Sequence, residues 1–401
     1  MPLTIRLDKR HFVDVPSIIV FREGEITYAL DTRSKAIVFG DVDSALVIQK
    51  AVDYLRSGRV VVREGEYTIK RTVNIHSHIV VEGVNAKLVA TGDYPVFSVV
   101  GSDAERVTDV VIGGFEIVGG GKTNPKAHGI YLEFTNFCKL HDLRIMNCRE
   151  AVSVKDVYGN IYEDVVALDN YMGFHSSLPT SSSRPMNNFV IRNYVISMTD
   201  YYGALMEGIS GCKVYGLVVE GGGLATPSDG IVIKGGELSD FIACVSRFNG
   251  GNGWYLTPNN PPWNVVSGVR LVSPTSSENS GNGVVLDGVT HVEVVGGEVR
   301  GNIQNGVVVK DSTHISIEGL HVVDNSRVGS GQASGILISG TSTRVHVVNC
   351  HVIGSHKYGV EEVGNVSENL IALCNLGGYV VGPVSRLSPT SVAVLCRGVD
   401  L

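Results

Sequence analysis

The chain is easiest to place by what it lacks. Its 401 residues hold no run of about 18 apolar residues, so no membrane-spanning helix is expected. Lys and Arg number 33 against 40 Asp and Glu, a net charge of -7 with no basic stripe, which argues against a nucleic-acid surface. Seven cysteines in so long a chain do not make a disulfide scaffold, and no Cys and His spacing suits zinc. Gln is confined to Gln49, Gln304 and Gln332, a scarcity that fits a hot environment. The opening, Met1 to Arg10, lacks the basic-then-apolar order of a secretory leader. The expectation is synthesis in the cytoplasm and export, if any, by another route such as virion assembly. Long helical periods are absent after residue 58.

Glycine, by contrast, is abundant at 48 residues, and it recurs in one short phrase. The phrase reads Asp229-Gly230-Ile231-Val232-Ile233, and returns as His128-Gly129-Ile130-Tyr131-Leu132, Asn252-Gly253-Trp254-Tyr255-Leu256, Asn282-Gly283-Val284-Val285-Leu286, Asn305-Gly306-Val307-Val308-Val309 and Ser334-Gly335-Ile336-Leu337-Ile338. From 129 to 359 the marker positions are 22 to 30 residues apart, the period of a stacked solenoid. Apolar residues two apart, as at Val292/Val294, Ile315/Ile317 and Val345/Val347, make the unit a coil of strands. A leucine-rich repeat would need its Leu and Asn consensus and a helical return, and both are missing. The expected fold is all-β, a right-handed parallel β-helix of about 12 coils. Asn147, Asn170, Asn249, Asn302 and Asn325 precede the glycines and can form a rung-to-rung hydrogen-bond ladder, or serve as ordinary turn residues.

Four segments follow. Residues 1–42 lack the repeat, and Ile18–Phe21, Ile26–Ala29 and Ala36–Phe39 read as a small antiparallel β-module for attachment or capping. Residues 43–58 hold the one convincing helix, with Asp43 as N-cap and Ala45, Ile48, Val52 and Leu55 on one face, suited to covering the open end of the coil stack. Residues 59–388 form the β-helix, and 389–401 a final strand or cap. Cys138, Cys148, Cys212 and Cys244 are expected to be buried thiols. Cys350, Cys374 and Cys396 lie about one coil apart and would stack at roughly 4.8 Å, within reach of one disulfide.

The order Asp, helix, Gly58-Arg59-Val60-Val61-Val62-Arg63-Glu64-Gly65-Glu66-Tyr67-Thr68-Ile69, then a strand ending Glu82-Gly83, resembles the start of the pectate-lyase-like superfamily of right-handed parallel β-helix proteins. That superfamily includes polysaccharide lyases, glycoside hydrolases and phage tailspike-type proteins. The resemblance implies a protein that recognises a polysaccharide or cell-surface glycan on the outer wall of one sheet, with catalysis open.

The middle of the chain is richest in suitable groups. Asp229, Asp200 and Glu207 are the candidate catalytic carboxylates; His175, Tyr201, Tyr202, Lys234, Arg247, Tyr255 and Trp263 are the candidate substrate-binding residues. Hydrolysis needs two carboxyl groups about 5 to 5.5 Å or 6.5 to 9.5 Å apart, and neighbouring coils can supply either. Asp229-Gly230-Ile231-Val232-Ile233 is similar to the Asp-Gly-Ile-x-Ile segment of polygalacturonase-like hydrolases, whose Asp is catalytic. The paired Asp, Gly-His-Gly and Arg-x-Lys of that family have no counterpart in place here. Asp229 is then either an acid or a turn-bonding residue like the asparagines. A lyase would use a base such as Lys155, Lys234 or Lys310, but no acidic cluster has calcium spacing, and no cofactor or metal is expected. The alternative is a non-catalytic trimeric spike or adhesin. The outward column Val285, Val308, Leu337 would then be an exposed apolar stripe seeking a second copy.

Overall fold

The computed structural model describes residues 17–177, 187–259, 265–327, 329, 331–354, 356–385, 388–394 and 396. Its strands stack in parallel into three long faces. Sheet A contains Ile130–Asn136, Met172–Ser177, Ala204–Ser210, Ile231–Glu237, Trp254–Thr257, Val284–Asp287, Val307–Lys310 and Ile336–Gly340. Sheet B contains Lys213–Tyr215, Asp240–Ile242, Arg270–Val272, Thr290–Val295, Thr313–Glu318 and Thr343–Val348. Sheet C contains Val218–Glu220, Val245–Arg247, Thr275–Ser277, Glu298–Arg300, His321–Val323 and His351–Ile353. In the earlier coils sheets B and C run together, as in Lys139–Met146 and Asn188–Ser197. Alternation decides which side chains go inward: Ile231, Ile233, Trp254, Leu256, Val284 and Leu286 are fully buried on one axis, the main term holding the stack together.

The marker glycines are needed for close approach, and not for a left-handed backbone. A Cβ on Gly230 would lie 2.1 Å from Ser246 Oγ, and one on Gly253 2.0 Å from Ser276 Oγ. Sheet C therefore packs against the start of sheet A at a distance only glycine permits.

Asparagines line that same corner. Asn249 donates through N and Nδ2 to Asn279 Oδ1, Asn279 likewise to Asn302, and Asn302 to Asn325, all buried. The ladder ends where Asn325 N–H donates to His356 Nε2, and burial holds that imidazole down to about pKa 4. Asn279 is a member the sequence pattern did not single out. Asn147 stands outside the ladder: it has a left-handed φ of 56° and bonds Gly119 O.

At the N-terminal end, Ser17–Glu23, Ile26–Asp31 and Ala36–Asp41 form the expected antiparallel meander. Ser17–Glu23 also pairs in parallel with Gly58–Val62, so the meander is continuous with the first rung. The helix α1 spans Ser44–Tyr54, and Asp43 caps it by accepting from Leu46 N–H. Its Ala45, Val47, Ile48, Ala51 and Val52 are buried against the first rungs. All seven cysteines are buried free thiols, so the disulfide considered for Cys350, Cys374 and Cys396 is absent. No helix among the described residues is long and apolar enough to cross a membrane.

One expectation is corrected. Val285 and Val308 point outward but are only 8% and 9% exposed, so they form no open apolar stripe. The ladder Asn252–Asn282–Asn305 flanks them on one side; on the other, Asp287 accepts from Tyr255 OH and from Lys310 Nζ. Only Leu337 of that column remains half-exposed.

Candidate functional site

Pairing of adjacent rungs lines up three outward rows on sheet A. The middle row runs Tyr131, Ser153, His175, Leu205, Val232, Tyr255. Two residues further along each strand lies a second row, which includes Glu133, Lys155, Glu207 and Lys234. The third row, at the start of the strands, includes His128, Glu150, Met172, Tyr202, Asp229 and Asn252.

Met172, Leu205 and Val232 form a small apolar cluster on this outer wall, separate from the main core, with Tyr171, Tyr201, Tyr202 and Tyr255 packed around it. Tyr171 and Tyr201 stack at 5.3 Å, and Tyr201 and Tyr202 lie 4.1 Å apart. Arg149 lies over Tyr171 at 3.5 Å, and Lys234 lies over Tyr202 at 5.5 Å. Aromatic faces set beside polar groups are the surface that a sugar ring, apolar on its C–H face, can stack on.

Beside the aromatic cluster is a chain of charges. His175 Nδ1 donates to Glu150 Oε1 at 2.8 Å, while His128 Nδ1 lies 3.3 Å from Glu150 Oε2. His175 Nε2 is 3.8 Å from Glu207 Oε2, close enough for charge attraction but too far for a hydrogen bond, and it is buried without a hydrogen-bond partner. Burial alone would lower the His175 pKa; the bond to Glu150 and the charges of Glu150 and Glu207 outweigh it and raise the pKa to about 9. Burial likewise works against both carboxylates, yet Glu150 and Glu207 end below the usual range because of His175, helped at Glu207 by Lys234 and Asn259.

Asp229 is shifted the other way. Burial raises its pKa, opposed by bonds from Asn252 and the charge of Lys234. Its Oδ1 accepts from Asn252 N and Nδ2 at 2.6 and 2.8 Å, and the same pattern repeats at Asn282 and Asn305. Asp229 is thus the acceptor-only first member of a second, outer ladder.

The remaining candidates divide. Glu207, Lys234, Tyr202, Tyr255, Asp229 and His175 share the sheet A wall. Tyr201 completes the aromatic group, and Asp200 beside it is held by Lys122 at 3.0 Å. Arg247 lies on sheet C, bonded to Glu220, away from this wall. Trp263 lies outside the described residues. Lys155 and Lys310 are ion-paired with Glu133 and Asp287 at 2.9 and 3.3 Å. The residues not anticipated are Glu150, Met172, Tyr171 and Leu205. The marker positions 151, 173 and 203 could have supplied the first, second and fourth by counting, whereas Tyr171 belongs to a turn with no fixed offset. Among the described residues no group of three or more His, Cys, Asp or Glu is arranged to hold a metal ion.

A family model described as "Right handed beta helix region" matches residues 267–376. The fold is a right-handed parallel β-helix. This is the architecture of the pectate-lyase-like superfamily whose start the first coils resemble. No curated protein matches the chain by sequence. Among solved structures, the A-module of the Azotobacter vinelandii mannuronan C-5 epimerase AlgE6 is similar with a TM-score of 0.66 and 14% identity, over 90% of this chain and 96% of that one. Tailspike protein 3 of bacteriophage CBA120 is similar with a TM-score of 0.64 and 12% identity, over 89% of this chain and 59% of that one. The DFA-IIIase of Arthrobacter chlorophenolicus A6 has a TM-score of 0.50 and 13% identity, over 82% and 90%. At such identities the likeness is one of fold.

Proposed function

We propose that the sheet A wall between Tyr131 and Asp287 is a groove for a polysaccharide, and that the protein hydrolyses it. Asp229 is the proton donor and Glu207 the carboxylate that stays charged. The observation that carries this reading is the outer-wall cluster of Met172, Leu205 and Val232 with Tyr171, Tyr201, Tyr202 and Tyr255 around it, on a wall that also carries Glu207 and Asp229. Burial pushes Asp229 toward holding a proton, whereas His175 and Lys234 keep Glu207 ionised. An acid whose surroundings favour its protonated form is what general-acid cleavage of a glycoside requires. The aromatic cluster supplies stacking for sugar rings. The similar folds include proteins named for mannuronan epimerisation, a phage tailspike and a DFA-IIIase, in line with a glycan as partner.

Incubation with a panel of polysaccharides, followed by reducing-end release, tests the reading. Asp229→Asn is the informative variant, because Asn fills the same ladder position in the next three rungs and folding is expected to survive. Its turnover should fall by about 10² or more. Intact activity in that variant would remove Asp229 from the mechanism.

A second reading is a non-catalytic spike or adhesin. It is favoured by Asp229 Oδ1, which is already committed to Asn252. On that reading the chain acts extracellularly or on a virion, residues 1–42 attach it to a larger body, and three copies assemble. Mass in solution and the absence of any cleavage product would identify it. A lyase acting on a uronate polymer has less support: of its three candidate bases, Lys155 and Lys310 are neutralised by carboxylates and Lys234 is seated over Tyr202.

A further inference from the structure

His175 holds one N–H that nothing satisfies. Nδ1 is used by Glu150, while Nε2 is buried with no hydrogen-bond partner, 3.8 Å from Glu207 Oε2. A buried donor left unmade costs about 1 to 3 kcal/mol, so the position is suited to an incoming oxygen. On that base, an oxygen about 2.9 Å from Nε2 and about 2.7 Å from Oε2 would close a triangle.

Using both contacts takes a donor and an acceptor on one atom. It must accept from His175 and donate to Glu207, which a hydroxyl does and a carboxylate or sulfate cannot. We infer that this subsite takes an uncharged sugar unit through one free hydroxyl bridging His175 Nε2 and Glu207. The inference rests on the reading of sheet A as a glycan groove and adds the class of sugar it accepts.

The surrounding charges agree. An acidic unit would meet Glu207 and Glu150 as like charges, and three of the nearby lysines are committed. Lys155 is bound to Glu133, Lys310 to Asp287, and Lys122 to Asp169 and Asp200. Two cations seated on tyrosines, Arg149 and Lys234, are the handles an acidic polymer would have to use. They make acidic polymers the opposing arm of the test.

The full chain is measured by affinity electrophoresis against soluble mannan, inulin and β-glucan as neutral polymers, alginate and polygalacturonate as carboxylated ones, and dextran sulfate. Retention should be confined to a neutral polymer and be insensitive to added NaCl. His175→Phe, which removes the donor while keeping a ring, should weaken it by about tenfold or more. Glu207→Gln, which removes the like charge, should let carboxylated polymers gain severalfold. Tightest retention by an acidic polymer, declining with salt, would overturn the inference. So would unchanged binding in His175→Phe. In either case loss of binding in Tyr202→Ala would leave the groove itself standing. If Tyr202→Ala and Tyr255→Ala bind like wild type, or no polymer is retained, the groove reading falls and this inference with it.

Discussion

Raising the pH should discharge His175 and loosen the middle of the solenoid. The folded histidine keeps its proton to about pH 9, against an ordinary value of 6.5. Between those values the folded chain binds one proton more than the unfolded chain, so stability falls as pH rises through the window. The contribution is fully present below about pH 6.5. At roughly 1.4 kcal/mol per pH unit it amounts to about 2 to 3 kcal/mol at pH 7, nearly all of it gone by pH 10. Glu150 and Glu207 are the other side of the same interaction, so their lowered pKa values add nothing to that figure. Other groups also titrate near pH 10, which makes the variant His175→Gln the proper reference. Thermal unfolding of both chains from pH 6 to 10 should show the wild-type midpoint drop about 3 to 6 °C further than that of the variant. A parallel pair of curves would refute the His175 assignment.

Other predictions follow from the ladders, the corners and the core. Asn279→Ala removes both a donor pair and an acceptor from the buried ladder and should cost about 2 to 4 kcal/mol, read by denaturant unfolding. Gly253→Ala forces a Cβ to within 2.0 Å of Ser276 Oγ, and should destabilise by several kcal/mol or prevent soluble expression. The seven buried thiols should resist a thiol reagent in the native chain and all react once it is unfolded, seen by absorbance. Tyr202→Ala removes one partly exposed ring, and should leave the thermal midpoint within about 2 °C while reducing retention by the bound polymer.

The recurring glycine phrase and the spacing of Val and Ile were enough to predict a coil of parallel strands, because burial on one face leaves a period-two signature in any order of contacts. Asp43 and the apolar face after it likewise marked the helix Ser44–Tyr54, a local pattern resting on a cap and a few turns. The Asn ladder was legible in outline, yet Asn279 was missed and Asn147 misplaced, since inclusion depends on which way a side chain turns at the corner.

The site was less legible. Counting along one strand found His175, Tyr255 and Val232 on a shared column, but Glu150 joins His175 from the rung below and a different row. Arg247, one coil away by counting, lies on sheet C bonded to Glu220. Charge and exposure also escaped the residue order. Val285 and Val308 are outward by alternation but covered by neighbours on other rungs, and Asp229 and Glu207 are similar acids whose surroundings shift them in opposite directions. Strand period and corner glycines are local, so the residue order alone carries them. Which carboxylate meets which histidine depends on the lengths of all the intervening loops, which set the lateral register of the rungs and appear only once the chain is folded.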